Sequence, residues 1–384
     1  MITKIILLIL LFALIDVLIV LRILNSIKKH YAWFPILKGT NYFILDKHSD
    51  AIDFLIARLR KHHGNIDTLW LLGNLYREKG WTDQSIKCHQ EILNRKNLSA
   101  ELKKETILSL ALDYHRAGML ERASSAFQEL IELGTNFPEA MSAYEKLLEE
   151  LKDWQKAIDI QKIIVKQDNS PRQLTTLSFL HNELGEELML NKKSLEAIAQ
   201  FRKSLFADKK TFYAYINMGK AFLQLNDDEK AAAIWEQLLE ENSPYAYLVF
   251  NDLLNLYEQM GIEHKKQVLL DRIKSQFWKN WKALEFLVQI SVKESHYDDA
   301  IHYLIQALEI NPYLPSLQYH LINFLKSPEI PSSLKTQLSL YMESIKDKFI
   351  GNDPHICIAC QYTSGEYQKR CPHCHQWDTL ISRS

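Results

Sequence analysis

Ile5 to Leu21 is apolar at every position except Asp16. As a helix rising 1.5 Å per residue, that run spans about 25 Å, slightly short of a hydrocarbon core of about 30 Å. Ile23 and Leu24 extend it past Arg22, whose long side chain can snorkel. A cleaved leader is the competing reading. It needs small residues at a cleavage site, and Ala13 is the only small residue before Ser26. The pattern therefore predicts an uncleaved transmembrane anchor over residues 1–24. Asp16 is costly at membrane depth, which suggests either contact with another membrane helix or a place near the interface. Lys4 stands alone before the run, whereas Arg22, Lys28 and Lys29 follow it, so the body is expected in the cytoplasm.

Beyond the anchor the apolar spacing is helical and repeats with a period of 34 over residues 32–314. The clearest unit is Ile66–Ser99, with Leu69, Leu72-Gly73, Tyr76, Gly80, Ser85 and Ile92 at fixed offsets. That is the tetratricopeptide pattern: large at position 4, Leu-Gly at 7 and 8, aromatic at 11, Gly at 15, small at 20. Position 20 recurs as Ala51, Ser85, Ala123, Ala157, Ala197, Ala231 and Ala300, with Lys266 in a weaker unit. Phe127, Phe201 and Trp235 stand at position 24. A small residue at 20 lets helix B approach helix A, and the aromatic fills the gap. One pair cannot bury its apolar face alone, so about eight units are predicted to stack into a superhelical solenoid with a groove. Leu317, Leu321, Phe324 and Leu325 then predict capping helices over 315–350.

Composition agrees. There are only 11 glycines and 10 prolines in 384 residues, which favours helices over hairpins. Gly39, Gly73, Gly80, Gly118, Gly185, Gly219 and Gly261 fall at repeat position 8 or 15, and Gly64 and Gly134 at inter-repeat turns. None is left for a phosphate-cradling loop, and the chain carries no nucleotide-binding or hydrolytic motif. The expectation is a non-enzyme. A formal charge of −1 gives no reason to expect nucleic acid. Helix A positions 2, 5, 9, 12 and 13 should face the groove. They supply candidate partner-binding residues Trp70, Asn74, Arg77, His115, Arg116 and Lys220, with Tyr213 beside them. The more ordinary reading of any one of them is a solvated or half-buried face residue.

Four of the five cysteines lie near the end, as Cys357-x2-Cys360-x10-Cys371-x2-Cys374. Two Cys-x-x-Cys turns can close a tetrahedron around Zn²⁺, the favoured ion, or iron. Two disulfides, or four ordinary thiols, are the alternatives. A reducing compartment argues for metal. Residues 354–384 are thus expected to form a small rubredoxin-like or zinc-ribbon domain, with Trp377 and Leu380 packing it against the last repeats. Ribbon turns often carry Gly after the second Cys, where left-handed backbone is wanted, yet Gln361 and His375 stand there. Cys88 reads as a half-buried small residue.

Anchor, repeats and ribbon in this order resemble the lipopolysaccharide assembly protein B family of Gram-negative bacteria. The specific stretches are Leu72-Gly73-Asn74-Leu75-Tyr76-Arg77 with Ile86 and His89-Gln90, Asp153 to Asp159 around Trp154, and Cys371-Pro372-x-Cys374 with Trp377. The resemblance implies an inner-membrane adaptor with cytoplasmic repeats. It would act with the protease FtsH to promote degradation of the deacetylase LpxC, and so regulate lipid A synthesis, with lipopolysaccharide itself a possible ligand. A general scaffold for another membrane complex and a rubredoxin-type electron carrier are the other readings of the residues.

Overall fold

The computed structural model describes residues 48–61, 65–134, 138–241, 243–311, 314–328, 330–345, 355–364 and 367–382. The expected anchor over 1–24 lies outside them, and so do Gly39 and Gly64. Among the described residues no helix is long and apolar enough to cross a membrane. The chain divides into two compact units, one up to Asp153 and one from Trp154.

The first unit holds α1 (His48–Lys61), α2 (Ile66–Glu78), α3 (Thr82–Leu93), α4 (Ala100–Arg116), α5 (Leu120–Glu132) and α6 (Pro138–Glu150). The second begins with α7 (Trp154–Gln167), α8 (Pro171–Leu190), α9 (Ser194–Ala207), α10 (Phe212–Gln224) and α11 (Asp228–Glu240). After a 3₁₀ turn at Ala246–Val249 come α12 (Phe250–Met260), α13 (Glu263–Gln276), α14 (Trp281–Lys293), α15 (Tyr297–Ile310), α16 (Pro315–Lys326) and α17 (Ser332–Ile345). Local sequence sets the starts. The side chains of Asn65, Ser99, Asp227 and Asn280 accept from the first free N–H groups of α2, α4, α11 and α14.

The predicted small positions are where the helices meet. Ser85, Ala123, Ala157, Ala197, Ala231 and Ala300 have no exposed surface. Lys266 cannot fill that slot; it turns outward and reaches Glu258 at 3.1 Å and Glu263 at 3.7 Å. Position 8 supplies the opposing gap. A Cβ built on Gly185 would lie 2.4 Å from the Phe201 ring, and one on Gly219 would lie 2.2 Å from Trp235 Nε1. The Trp235 indole N–H donates to Ile216 O at 3.2 Å, so the ring is held by its polar edge as well as by packing. In the Ile66–Ser99 unit His89 takes the aromatic's place against Gly73, with 2.7 Å between its ring and a built Cβ.

Position 15 must be left-handed to turn helix A into helix B. Gly80, Gly118 and Gly261 provide this with φ of 78°, 72° and 68°. Four units do it without glycine: Lys152 (56°), Lys192 (59°), Asn226 (57°) and Ser295 (62°). The turn is therefore imposed by tertiary packing, since a Cβ makes that conformation cost roughly 1 kcal/mol.

The last apolar face is covered by α16 and α17. Leu317, Leu321 and Phe324 of α16 and Leu338 of α17 are buried. The tail then forms a three-stranded antiparallel sheet, β1 (His355–Cys357), β2 (Thr363–Ser364) and β3 (Leu380–Ser382), in the order β2-β1-β3.

Two substitutions separate these constraints. Gly219→Ala should lower stability by about 1–3 kcal/mol through overpacking against Trp235. Lys152→Gly should be neutral or stabilising by up to about 1 kcal/mol by relieving the left-handed Cβ. Chemical denaturation of each variant, read against wild type, checks both signs.

Candidate metal centre

The four tail cysteines converge. Their sulfurs all lie within 4.8 Å of one another, with Cys357 Sγ 3.6 Å from Cys374 Sγ and Cys360 Sγ 3.7 Å from Cys371 Sγ. A disulfide would require about 2.05 Å. Sulfurs 2.3 Å from a central ion, at the corners of a tetrahedron, would be separated by about 3.8 Å. The geometry fits the metal reading and not the disulfide one, and the cluster could hold one ion.

Each Cys-x-x-Cys turn is built alike. Gln361 N–H donates to Cys357 O and His375 N–H to Cys371 O, both at 2.9 Å. Gln361 and His375 are left-handed, with φ of 63° and 56°. These are the positions where the sequence lacked glycine, so the turn geometry is kept at the cost of two strained side chains. Cys357 and Cys371 are fully buried beside Leu380, while Cys360 and Cys374 are half-buried. Burial alone would push the Cys357 thiol up. The Thr379 hydroxyl, 3.2 Å from its sulfur, and the backbone N–H groups of Ala359 and Cys360 overcome this and bring it to about 6. Cys360 goes the other way, to about 12, through desolvation and the neighbouring thiols. Four thiolates this close are tolerable only around a cation. Cys88 belongs to the first unit; burial pushes its thiol up to about 11, which makes it inert.

Trp377 and Lys369 anchor the ribbon on α8, while His355, Asp378 and Ile381 border a cleft shared with Trp281, Lys282 and Ile310 of the last repeat. Trp377 stacks on Phe179 of α8, with ring centroids 5.1 Å apart. Lys369 Nζ donates to Glu183 Oε1 at 3.0 Å and also to Glu186, and sits 4.5 Å from the Tyr213 ring centroid. Burial raises Glu183 above the usual carboxylate range, with the Lys369 ammonium opposing but not cancelling it. Glu186 also accepts from Asn182 at 2.8 Å and from Asn217 at 2.7 Å. Tyr367 enters an aromatic cluster with Phe212, Tyr213 and Tyr245, and its hydroxyl donates to Asp378 at 2.8 Å. The expected Leu380 contact with the repeats is absent, since that side chain fills the ribbon's own interior beside Cys357 and Cys371. Trp377 goes to α8 because Phe179 and Tyr213 present rings on the groove face of α8 and α10. Phe179 and Tyr213 stand at repeat position 2 and Glu186 at position 9, so the groove rule carried the signal for this docking face.

The other candidate groove residues divide. Trp70 is half-buried against the first unit's core. Arg77 is largely internal: its guanidinium donates to Asp113 Oδ1 at 2.8 Å, Ser109 O at 3.0 Å and Asn74 Oδ1 at 2.6 Å. Asp113 is fully buried and also accepts from Ser85 Oγ at 2.6 Å, with His89 Nδ1 2.5 Å from its other oxygen. This network staples α2, α3 and α4 together. His115 pairs with Glu150 at 2.9 Å, and Arg116 and Lys220 are exposed.

A tetratricopeptide repeat family matches residues 213–243, the α10–α11 pair. Lipopolysaccharide assembly protein B of Escherichia coli K12 is 24% identical over 347 residues, covering 89% of this chain and 87% of that protein. The chain is a relative of lipopolysaccharide assembly protein B. The Haemophilus influenzae protein of the same name is 22% identical over 354 residues, with the same coverage. Among solved structures, the C-terminal part of a TPR repeat-containing protein from Cytophaga hutchinsonii covers 73% of this chain and 97% of its own, at 14% identity and a TM-score of 0.41. The resemblance carried by the repeat and cysteine motifs thus extends to relatives of lipopolysaccharide assembly protein B over nearly the whole chain.

The Asp113 network predicts a large local cost. Asp113→Ala strands Arg77 and His89 and should destabilise the first unit by about 3–5 kcal/mol. Urea unfolding should show the loss, with metal content unchanged because the ribbon belongs to the other unit.

Proposed function

We propose that this protein is a non-enzymatic adaptor for lipopolysaccharide assembly, held at the inner membrane with its repeats in the cytoplasm. The observation that carries the reading is the pairing of a helical-repeat binding surface with a cysteine ribbon docked onto it, collinear with relatives named for lipopolysaccharide assembly over 89% of the chain. In this reading the adaptor brings the deacetylase LpxC to the protease FtsH, and tethering raises its local concentration at the membrane. The exposed Arg116 and Lys220 are the groove residues best placed to meet a client, with Trp70, Asn74, Arg77 and His115 shaping the surface around them.

The ion we assign is Zn²⁺, held by Cys357, Cys360, Cys371 and Cys374. A closed four-thiolate site leaves no open position for catalysis, so its role is structural. The residues around it do the functional work: Lys369, Tyr367 and Trp377 present a rigid face to the repeats.

Depletion of the protein in its own cells should lengthen the half-life of the deacetylase, measured after blocking translation; an unchanged half-life overturns the adaptor mechanism. Cys371→Ser with Cys374→Ser should remove one equivalent of metal and free Trp377 from Phe179, seen as a shift in tryptophan emission. A colourless, zinc-loaded wild-type preparation is expected, whereas visible absorption would indicate iron.

A further inference from the structure

The most exposed large apolar side chains among the described residues are Phe206 at 93%, Leu190 at 85% and Leu195 at 72%. They lie within one short stretch. Leu195 and Phe206 are eleven positions apart on α9, which is close to three full turns, so they share one face, about 16 Å apart along the axis. Ala199 and Arg202 fall between them on the same stripe, and both are exposed. The opposite face of α9 buries Ala197, Ile198, Phe201 and Ser204 against its neighbours. Leu190 ends α8 at the turn just before α9. The helix therefore already has its packing partner, and the apolar stripe is surplus to the fold.

The surrounding charge says what the stripe faces. From Leu190 to Lys210 the chain carries Lys192, Lys193, Arg202, Lys203, Lys209 and Lys210 against Glu196 and Asp208, all six cations being exposed, in a chain whose net charge is −1. Lys193 lies 3.8 Å from Glu196. The Asp208 carboxylate is occupied, accepting from the Thr175 hydroxyl at 2.7 Å and the Lys210 N–H at 2.9 Å. Among the described residues Lys192, Arg202, Lys203, Lys209 and Lys210 have no carboxylate within ion-pair distance. Exposed apolar side chains ringed by unpaired cations match an interface of apolar interior and anionic surface, the chemistry of a bilayer bearing acidic headgroups. A second copy of this face is disfavoured, because it would bring like charges together.

We propose that the outward face of α9, with Leu190, Leu195 and Phe206 at its centre and Arg202, Lys203, Lys209 and Lys210 around them, docks on an anionic lipid bilayer. This goes beyond tethering through the chain's first residues. It fixes which side of the second unit lies against the membrane.

The test is hydroxyl-radical footprinting of the full chain reconstituted in nanodiscs of phosphatidylcholine alone or with phosphatidylglycerol. Labelling of Leu195 and Phe206 should fall roughly fivefold in the acidic discs and recover at raised salt. Arg202→Glu with Lys203→Glu should restore labelling at Phe206 to the phosphatidylcholine level, with thermal stability and metal content unchanged because both side chains are solvated. Equal labelling in the two lipids overturns the proposal, as does protection that survives the double charge reversal. Protection already present in detergent and rising with protein concentration would assign the face to a second copy and overturn it as well. The readout is local to α9, so it is independent of whether the adaptor reading holds.

Discussion

The array depends on how closely one helix backbone can approach the ring on the next. Gly185 faces Phe201 and Gly219 faces Trp235 at distances no Cβ could occupy. The fully buried Ala197 and Ala231 admit the approach from the other helix. Small residues on both sides let a large ring sit at the centre of these two pairs, and dispersion over that ring replaces the deep core that a two-helix unit cannot build. Where the rule is broken, the chain compensates visibly. His89 replaces the ring against Gly73 and is tied to the buried Asp113, while Lys266 leaves its slot for three surface carboxylates.

Much of this was legible because tetratricopeptide spacing is a packing code: the alanines at position 20, the rings at position 24 and the cysteine quartet all stand where the pattern put them. Three things were not legible. The left-handed turns at Lys152, Lys192, Asn226 and Ser295 carry no glycine to announce them, because tertiary packing overrides the local preference. Arg77 and Asn74 looked like groove residues by position, yet the buried Asp113 that claims Arg77 sits in the next unit, 36 residues away, beyond the reach of a local pattern. The part of the ribbon's docking site on α8 and α10 was missed for a related reason. Adjacency in sequence pointed to the last repeats, which the ribbon does border, but Trp377 and Lys369 take the rings at repeat position 2 and the carboxylate at position 9 on α8 and α10.

The docking face combines interactions of different range. Trp377 on Phe179 and Tyr367 among three rings supply area, while Lys369 between Glu183 and Glu186 supplies register. An ammonium held by two carboxylates and a Tyr213 ring is specific because misplacement would leave buried carboxylate unpaired. The ribbon's own interior is little more than Leu380 and four sulfurs, so its surface side chains can be positioned this well only if the sulfurs are themselves fixed.

One consequence concerns cooperativity. A helical repeat array unfolds much like a row of dominoes, each unit coupled only to its neighbours, so ends can fray independently. The contact between Lys369 and Glu183 joins residues 186 positions apart. It ties the ribbon back to α8 and closes everything between into a loop. Fraying at the far end then breaks the loop, and the intervening pairs gain or lose order as a block. The ribbon also cannot dock until α8 and α10 are in place, so its attachment reports that this part of the array has formed.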